Sequence, residues 1–302
     1  TYNGQTLLAK NLPAVIKTMN DGDELIIVDD ASNDQTLAWL KATFILKKTP
    51  DSPEFLYTIY EGRFSEASKK ILVTVLLNTE NMRFGESCNR GVKIAKNDLV
   101  FILNSDVKPQ TDCLDTLRGH FSENKNPSLF GVNCLEVEKD ARGKITYGGK
   151  NRLWFERGLF VHERLPTDVS EETAWGTGGS CLFDRSKWLA LGGFDLDYRP
   201  AYWEDIDLSY RARRSGWKVI FDKEAVVEHK HETTNQSVFG QKKIEVMSFK
   251  NGMLFTWKNG SISQKIRFIF WMPYHLLFTN IRTSGNFGKA WLKFLYTYTQ
   301  SV

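Results

Sequence analysis

Residues 85–106 read GESCNRGVKIAKNDLVFILNSD, and the change of rhythm inside them decides the fold. From about Gly85 to Ala95 the stretch reads as a helix. Leu99 to Leu103 is an unbroken apolar run, the pattern of a strand buried on both faces. It ends in Asn104, Ser105 and Asp106, polar groups set just past the strand's carboxyl end. The same rhythm recurs on the N-terminal side. Residues 5–19 carry Leu8, Leu12, Val15, Ile16 and Met19 at the spacing of one helix face. Leu25 to Val28 is a short apolar strand that stops at Asp29 and Asp30, and Ser32 or Asn33 caps a helix running through Leu46. Residues 71–77 are again β-rich. Alternating helices and buried strands predict an α/β fold around a mostly parallel central sheet.

Open α/β sheets bind ligands beyond the carboxyl ends of their strands. Three strands here deliver polar groups to that edge: Asp29 and Asp30 after Val28, Asn104 to Asp106 after Leu103, and His229 after Val226 and Val227. Residues 203–208, WEDIDL, place Glu204, Asp205 and Asp207 at the start of a helix that Gly216 closes, where the helix dipole favours acids. Asp207 precedes Arg211 by one turn, a pair that holds the helix. Glu204 or Asp205 is left to face a cleft as a general base. Residues 176–180, GTGGS, precede a short apolar run, and paired glycines let backbone approach a ligand closely. Trp175, Tyr202 and Trp203 flank these pieces, and aromatic faces suit the apolar faces of a sugar. Short strands are expected between 127 and 183, then at Trp217–Phe221 and Ala225–Val227.

The 302 residues are 41% hydrophobic and 25% charged, which supplies a core and excludes a disordered chain. A net charge of +4 is too mild for a nucleic-acid binder. The charge is uneven: Gln241 to Val302 holds nine Lys or Arg against one Glu, so it carries +8 and the rest carries −4. A basic tail on an acidic body points to an anionic surface as partner. From about Val238 the pattern is helical and aromatic, so a boundary is expected near residue 235, dividing a catalytic part (1–235) from a helical, basic and aromatic part (236–302). Residues 265–282, KIRFIFWMPYHLLFTNIR, are interrupted by Arg267, Pro273 and His275, and are expected to lie in a headgroup region rather than span a bilayer. Cys88, Cys113, Cys134 and Cys181 are widely spaced without a C-x-x-C, which predicts buried free thiols in a reducing compartment and no zinc site. Thr1 to Gly4, TYNG, reads as the turn that follows a strand, so a first strand is expected ahead of it.

In order along the chain, TYNG (1–4), IVDDASNDQT (27–36), residues 85–106, GTGGSCLFDRS (176–186), GGFD (192–195) and WEDIDLSYRARRSGW (203–217) resemble glycosyltransferase family 2 over about residues 1–231. The LNSD form at 103–106 is most similar to the branch of rhamnosyltransferases and galactofuranosyltransferases. The resemblance implies a GT-A fold and inverting transfer from a UDP- or dTDP-sugar. The acceptor it implies is a glycan or lipid-linked molecule in cell-surface polysaccharide synthesis, at the cytoplasmic face of a membrane. It implies that Asp30 bonds the nucleotide base, with Thr1, Tyr2 and Asn3 lining that pocket and Asn89 and Arg90 near the nucleoside. Asp106 would hold a divalent cation, Mg²⁺ or Mn²⁺, and His229, 24 residues after Asp205, fits the family's metal-binding histidine. Asp205 would be the base, with Glu204 its rival in the pair. Gly178 and Gly179 would border the sugar or acceptor pocket beside Trp203. Where the family's D-x-D has two acids, this chain has Asn104, Ser105 and Asp106; Asn104 brings no charge, so it either lowers metal affinity or turns to the ribose. Two other readings stay open. A sugar nucleotidyltransferase would need a Gly-rich basic loop near the N-terminus for a triphosphate, and none is seen. A non-catalytic carbohydrate-binding protein of the same fold would have no use for Glu204, Asp205, Asp106 and His229 together.

Overall fold

Helix α1 (Gln5–Thr18) leads into strand β1 (Glu24–Asp29), in which Leu25, Ile27 and Asp29 alternate inward. The computed structural model describes residues 1–50, 56–66, 69–122, 126–139, 142–166, 169–229 and 239–301; the boundary expected near residue 235 lies outside them. Helix α2 (Thr36–Phe44) starts later than the expected Ser32 or Asn33 cap. Asp34 accepts the Thr36 N–H, whereas Ser32 Oγ accepts the Asn3 N–H and ties the first turn to the one after β1. Strands β2 (Lys47–Lys48), β3 (Tyr57–Glu66) and β4 (Lys69–Asn78) complete a sheet in the order β1-β4-β3-β2, with β1 and β4 parallel.

Helix α3 (Arg83–Ile94) and β5 (Leu99–Leu103) follow as expected, then β6 (Val107–Pro109), α4 (Cys113–Gly119), β7 (Leu129–Lys139), β8 (Ile145–Gly148), the hairpin of β9 (Lys150–Glu156) and β10 (Leu159–Leu165), and β11 (Glu171–Thr173). β12 (Ser180–Asp184), α5 (Arg185–Ala190), α6 (Glu204–Arg214) and β13 (Lys218–His229) close the mixed α/β part. The second sheet runs β11-β13-β7-β12-β5, with β6 on β13 and β8 on β7. The expected mostly parallel sheet is a mixed one. β7 and β13 are parallel, but β12 enters from the glycine-rich turn instead of a crossover helix and runs antiparallel to both β5 and β7. The two strands read at 217–221 and 225–227 are one strand with a bulge between Asp222 and Val226.

The two sheets end at β1 and β5, which line opposite sides of one cleft. Thr1 sits on the β1 edge. Its amino group donates to Val28 O at 2.7 Å and its carbonyl accepts from Asp30 N at 2.8 Å, a parallel-ladder pattern opposite Asp29.

The C-terminal helices are α7 (Gln241–Asn259), α8 (Ile262–Tyr274) and α9 (Asn286–Ser301). Ser261 and Gln264 cap α8 with reciprocal bonds, and directly after Pro273 the helix widens into a π-helical stretch, His275–Thr279. Their apolar faces do not form a separate core. Met253, Leu254, Phe255, Phe268, Phe287 and Phe294 pack in one cluster with Phe160, Trp175, Tyr198, Trp203 and Ile206 of the sheet-bearing part. The four cysteines are free thiols, three of them buried.

Candidate active site

The cleft, about 1100 Å³, runs along β1 and β5 to the turn after β5 and the carboxyl end of β13, and the first residues of α6 also line it. Along β7, Val132, Cys134 and Glu136 are buried at a period of two, so a carboxylate takes the place of a core residue at the cleft end. Glu136 is 1% exposed; its Oε1 accepts from Ser180 Oγ at 2.6 Å and Thr177 Oγ1 at 3.1 Å, and Arg164 approaches its Oε2 at 3.2 Å. His229, last residue of β13, stands between two acids: Nε2 is 3.5 Å from Asp106 Oδ1 and Nδ1 is 3.7 Å from Glu136 Oε2. Burial opposes charge on both partners, but the ion pairing prevails. Asp106 and Glu136 push His229 up to about 9, and His229, Arg164 and Ser180 hold Glu136 down at about 2. Asp106 and His229 supply one carboxylate oxygen and one imidazole nitrogen at a separation that a single cation can bridge, a donor set that fits Mn²⁺ or Mg²⁺.

Helix α6 starts from two consecutive left-handed residues, Tyr202 (φ 75°) and Trp203 (φ 79°). Each costs roughly 1–3 kcal/mol and persists only where its surroundings hold it. Asn251 of α7 does so: its Nδ2 reaches the carbonyls of Tyr198, Ala201 and Tyr202 at 2.7, 2.9 and 2.7 Å. The turn sets Glu204 and Asp205 on the cleft wall. Asp205 Oδ2 accepts from Gly178 N at 3.2 Å and Oδ1 from Ile206 N at 2.8 Å. Burial raises the Asp205 carboxyl above the usual range, and burial together with the Asp205 charge raises Glu204. Asp207 turns the other way, to Tyr198, Asn259 and Arg211, and holds the helix as the i,i+4 spacing predicts.

Asn104 and Ser105 line the cleft next to Asp106. A Cβ on Gly179 would stand 2.5 Å from Asn104 Nδ2, so the second glycine of the pair is what admits Asn104. Asn11 of α1 donates to Ser105 O at 2.9 Å and fixes this turn to the body. Thr1, Tyr2 and Asp30 also line the cleft. The Asp30 carboxylate is already engaged: Oδ1 accepts from Asn78 Nδ2 and Met82 N, and Oδ2 from Arg83 N.

Six of the residues singled out in the sequence for the site, Asn3, Asp29, Asn89, Arg90, Trp175 and Trp203, are not on the cleft wall, and of these Asp29 and Trp175 are buried. Asn3 braces the loop after β1, with its Oδ1 accepting from Asn33 N. Asn89 makes paired bonds to the Phe194 backbone, and Arg90 pairs with Glu86 and donates to Asn78 Oδ1. All three are braces, not wall groups. Trp203 is 5% exposed, packed between His162 and Phe255, because its left-handed backbone turns the indole into the core; Tyr202 is the aromatic residue of that turn that reaches the cleft. Sequence reasoning missed Glu136 and Arg164. The signal for Glu136 was present, as a carboxylate at a core position of a buried strand. Arg164 carried none, since it sits in a hairpin of ordinary alternating pattern.

An acid–imidazole pair and a buried carboxylate line one cleft of a mixed α/β fold of the GT-A kind. The chain belongs to glycosyl transferase family 2, whose model matches residues 1–168. The match takes in Asp30, Asp106, Glu136 and Arg164; Gly178, Asp205 and His229 lie beyond it. The O-antigen chain rhamnosyltransferase RfbN of Salmonella typhimurium is 21% identical over 310 residues, covering 96% of this chain and 88% of that protein. A galactofuranosyl glycosyltransferase of Leishmania donovani is 23% identical over 209 residues, covering 60% of this chain and 48% of that one. Among solved structures, GalNAc-T7 with UDP, GalNAc and Mn²⁺ superposes with a TM-score of 0.59 at 15% identity, over 90% of this chain and 55% of that chain. Residues 1–349 of S. aureus TarS superpose at 0.54 and 12% identity, over 93% and 71%. Both likenesses concern the fold.

Proposed function

We propose that the chain is an inverting glycosyltransferase that moves a sugar from a UDP- or dTDP-sugar to a hydroxyl of a glycan or lipid-linked acceptor, in the synthesis of cell-surface polysaccharide. The observation that carries this is the pairing of Asp106 with His229 at 3.5 Å in the same cleft that Asp205 lines. On this reading Asp30, Thr1 and Tyr2 border the nucleotide end and Asn104 contacts the ribose. Asp106 and His229 would hold a divalent cation, which would supply positive charge to stabilise the departing diphosphate. Asp205 takes the proton of the acceptor hydroxyl, which attacks from the face opposite the leaving group, so one displacement inverts the anomeric centre. The Gly178 N–H orients that carboxylate, and Tyr202 offers the sugar an aromatic edge.

The acceptor reading is supported by the tail. Ile262, Ile266, Ile269, Phe270, Leu277 and Ile281 are all 56% exposed or more along α8 and its continuation, beside Arg267 and Arg282. No helix among the described residues is long and apolar enough to cross a membrane. An apolar helix face bordered by basic side chains fits the headgroup region of an anionic bilayer, at the cytoplasmic face where nucleotide sugars are available. A panel of UDP- and dTDP-sugars, assayed for Mn²⁺-dependent transfer or hydrolysis, tests the reading. Nucleoside triphosphate turnover would replace it with a nucleotidyltransferase, and sugar binding without turnover would replace it with a binding protein.

A further inference from the structure

We infer that Glu136 is the positioning carboxylate of the cation site: it holds the Nδ1 edge of His229 so that Nε2 is presented to Asp106. The inference rests on the proposed metal-dependent transfer and names a residue that acts on the site through another. The imidazole has an acid on each edge, Asp106 Oδ1 at 3.5 Å from Nε2 and Glu136 Oε2 at 3.7 Å from Nδ1. A cation can use only one edge. On the Nδ1 edge, Glu136, Glu138 and His229 bring ligand atoms within 4.8 Å of one another. That edge already holds a positive group, because Arg164 Nη1 lies 3.2 Å from Glu136 and 3.0 Å from Glu138. A cation there would have to displace a guanidinium from two carboxylates. On the Nε2 edge no Lys or Arg pairs with Asp106 among the described residues, and the site opens to the cleft. The cation therefore belongs with Asp106, and Glu136 stands behind the ring.

Glu136 is built for that task. It is 1% exposed, and two hydroxyls, of Thr177 and Ser180, hold Oε1. Its Oε2 accepts no hydrogen bond among the described residues. At 3.7 Å the approach to Nδ1 is an ion pair, and a sub-ångström tilt of the ring brings the N–H into bonding range. A histidine whose second nitrogen donates to a carboxylate has its tautomer and ring plane set, with the other lone pair free for a metal; loss of such a partner costs about 10–100-fold in metal affinity.

The test is Mn²⁺ affinity, read by electron paramagnetic resonance on the full chain with and without UDP, for the wild type, Glu136→Gln, Glu138→Gln and Asp106→Asn, with UDP affinity in the absence of metal and the melting temperature measured alongside. Glu136→Gln is expected to weaken Mn²⁺ about 10–100-fold with metal-free UDP affinity unchanged, Asp106→Asn to weaken it at least as much, and Glu138→Gln to leave it within about twofold. Should Glu136→Gln not fold, the double variant Thr177→Val, Ser180→Ala keeps the carboxylate but frees it, and is expected to weaken Mn²⁺ several-fold. Wild-type Mn²⁺ binding retained by Glu136→Gln or, if that protein does not fold, by the double variant overturns the inference and leaves the proposed function standing. Equal losses in Glu136→Gln and Glu138→Gln with none in Asp106→Asn also overturn it, by moving the cation to the Nδ1 edge. A wild type that binds no Mn²⁺ in the presence of UDP removes the metal-dependent reading itself.

Discussion

Replacing Asp205 with Asn separates chemistry from binding. The carboxylate accepts two backbone N–H groups, Gly178 at 3.2 Å and Ile206 at 2.8 Å. The amide keeps one of these and turns its NH₂ against the other, a loss of about 0.5–1.5 kcal/mol. Removing a charge beside the buried Glu204 works in the opposite direction, since Asp205 is one of the two causes that raise Glu204. The net effect on stability is therefore small, and nucleotide and Mn²⁺ affinities stay near wild type because Asp106 and His229 are untouched. Turnover is different: a lost general base costs about 10²–10⁴-fold, or about 2.7–5.4 kcal/mol of barrier. The assay is transfer at saturating donor, followed by release of the nucleoside diphosphate, for Asp205→Asn and Glu204→Gln separately. The pH profile is a second readout. Burial raises the Asp205 carboxyl and only its ionised form accepts a proton, so wild-type turnover falls with decreasing pH through a value above the ordinary 3.8, and the Asn variant lacks that limb. An active Asp205→Asn alongside an inactive Glu204→Gln would move the base by one residue. If both variants stay active, the pair is a helix-start feature and the inverting mechanism has no base.

Three further outcomes follow from the packing. Asn251→Ala strips three carbonyls of their donor and releases the left-handed turn ahead of Asp205, so it lowers stability by about 1–3 kcal/mol and turnover with it, although Asn251 lies in α7; denaturant unfolding and the transfer assay check both. Ile266→Glu with Phe270→Glu, both on the exposed face of α8, abolishes flotation with anionic vesicles and leaves UDP binding intact; undiminished flotation refutes the bilayer contact. Extending the chain at Thr1 with five or six apolar β-formers raises the melting temperature and removes a pH slope. Burial lowers the Thr1 amine below its 8.0 reference, so the folded state binds fewer protons than the unfolded one and stability climbs as pH rises toward 8; the extended chain has an amide there and no such slope. An extended chain that melts no higher would show that the slot between β1 and β5 does not take a strand.

Much of the fold was legible because strands β1 and β5 are continuous apolar runs bounded by polar turns, a signal that needs no knowledge of neighbours. The sheet's mixed character was not, since whether β12 pairs antiparallel depends on the turn at 176–179 and on which edges β5 and β7 leave open. β3 escaped notice: its ten residues are exposed or half-buried and carry no apolar run. At the site, strand-end acids and His229 were readable as a group because strand ends share one edge of a sheet. Their division of labour was not. Asn89 and Asp30 look alike in sequence as polar groups near a ligand, but one braces the Phe194 backbone and the other faces the cleft while holding residues 82 and 83. Trp203 misled because its role depends on a left-handed φ that sequence does not announce. The tail read as an appendage for want of contacts; Gly158, where a Cβ would meet the Arg267 carbonyl at 2.8 Å, shows how closely α8 seats on the β9–β10 turn.

The proposed function requires one cleft that holds a nucleoside diphosphate through a divalent cation bound by Asp106 and His229. Isothermal titration of UDP and of dTDP into the full chain, with Mn²⁺ and then with chelator, tests it most directly. Saturable binding of at least one of the two is expected with Mn²⁺, weakened tenfold or more by chelator and by Asp106→Asn. Binding of equal strength with and without the metal, or none under either condition, would contradict it.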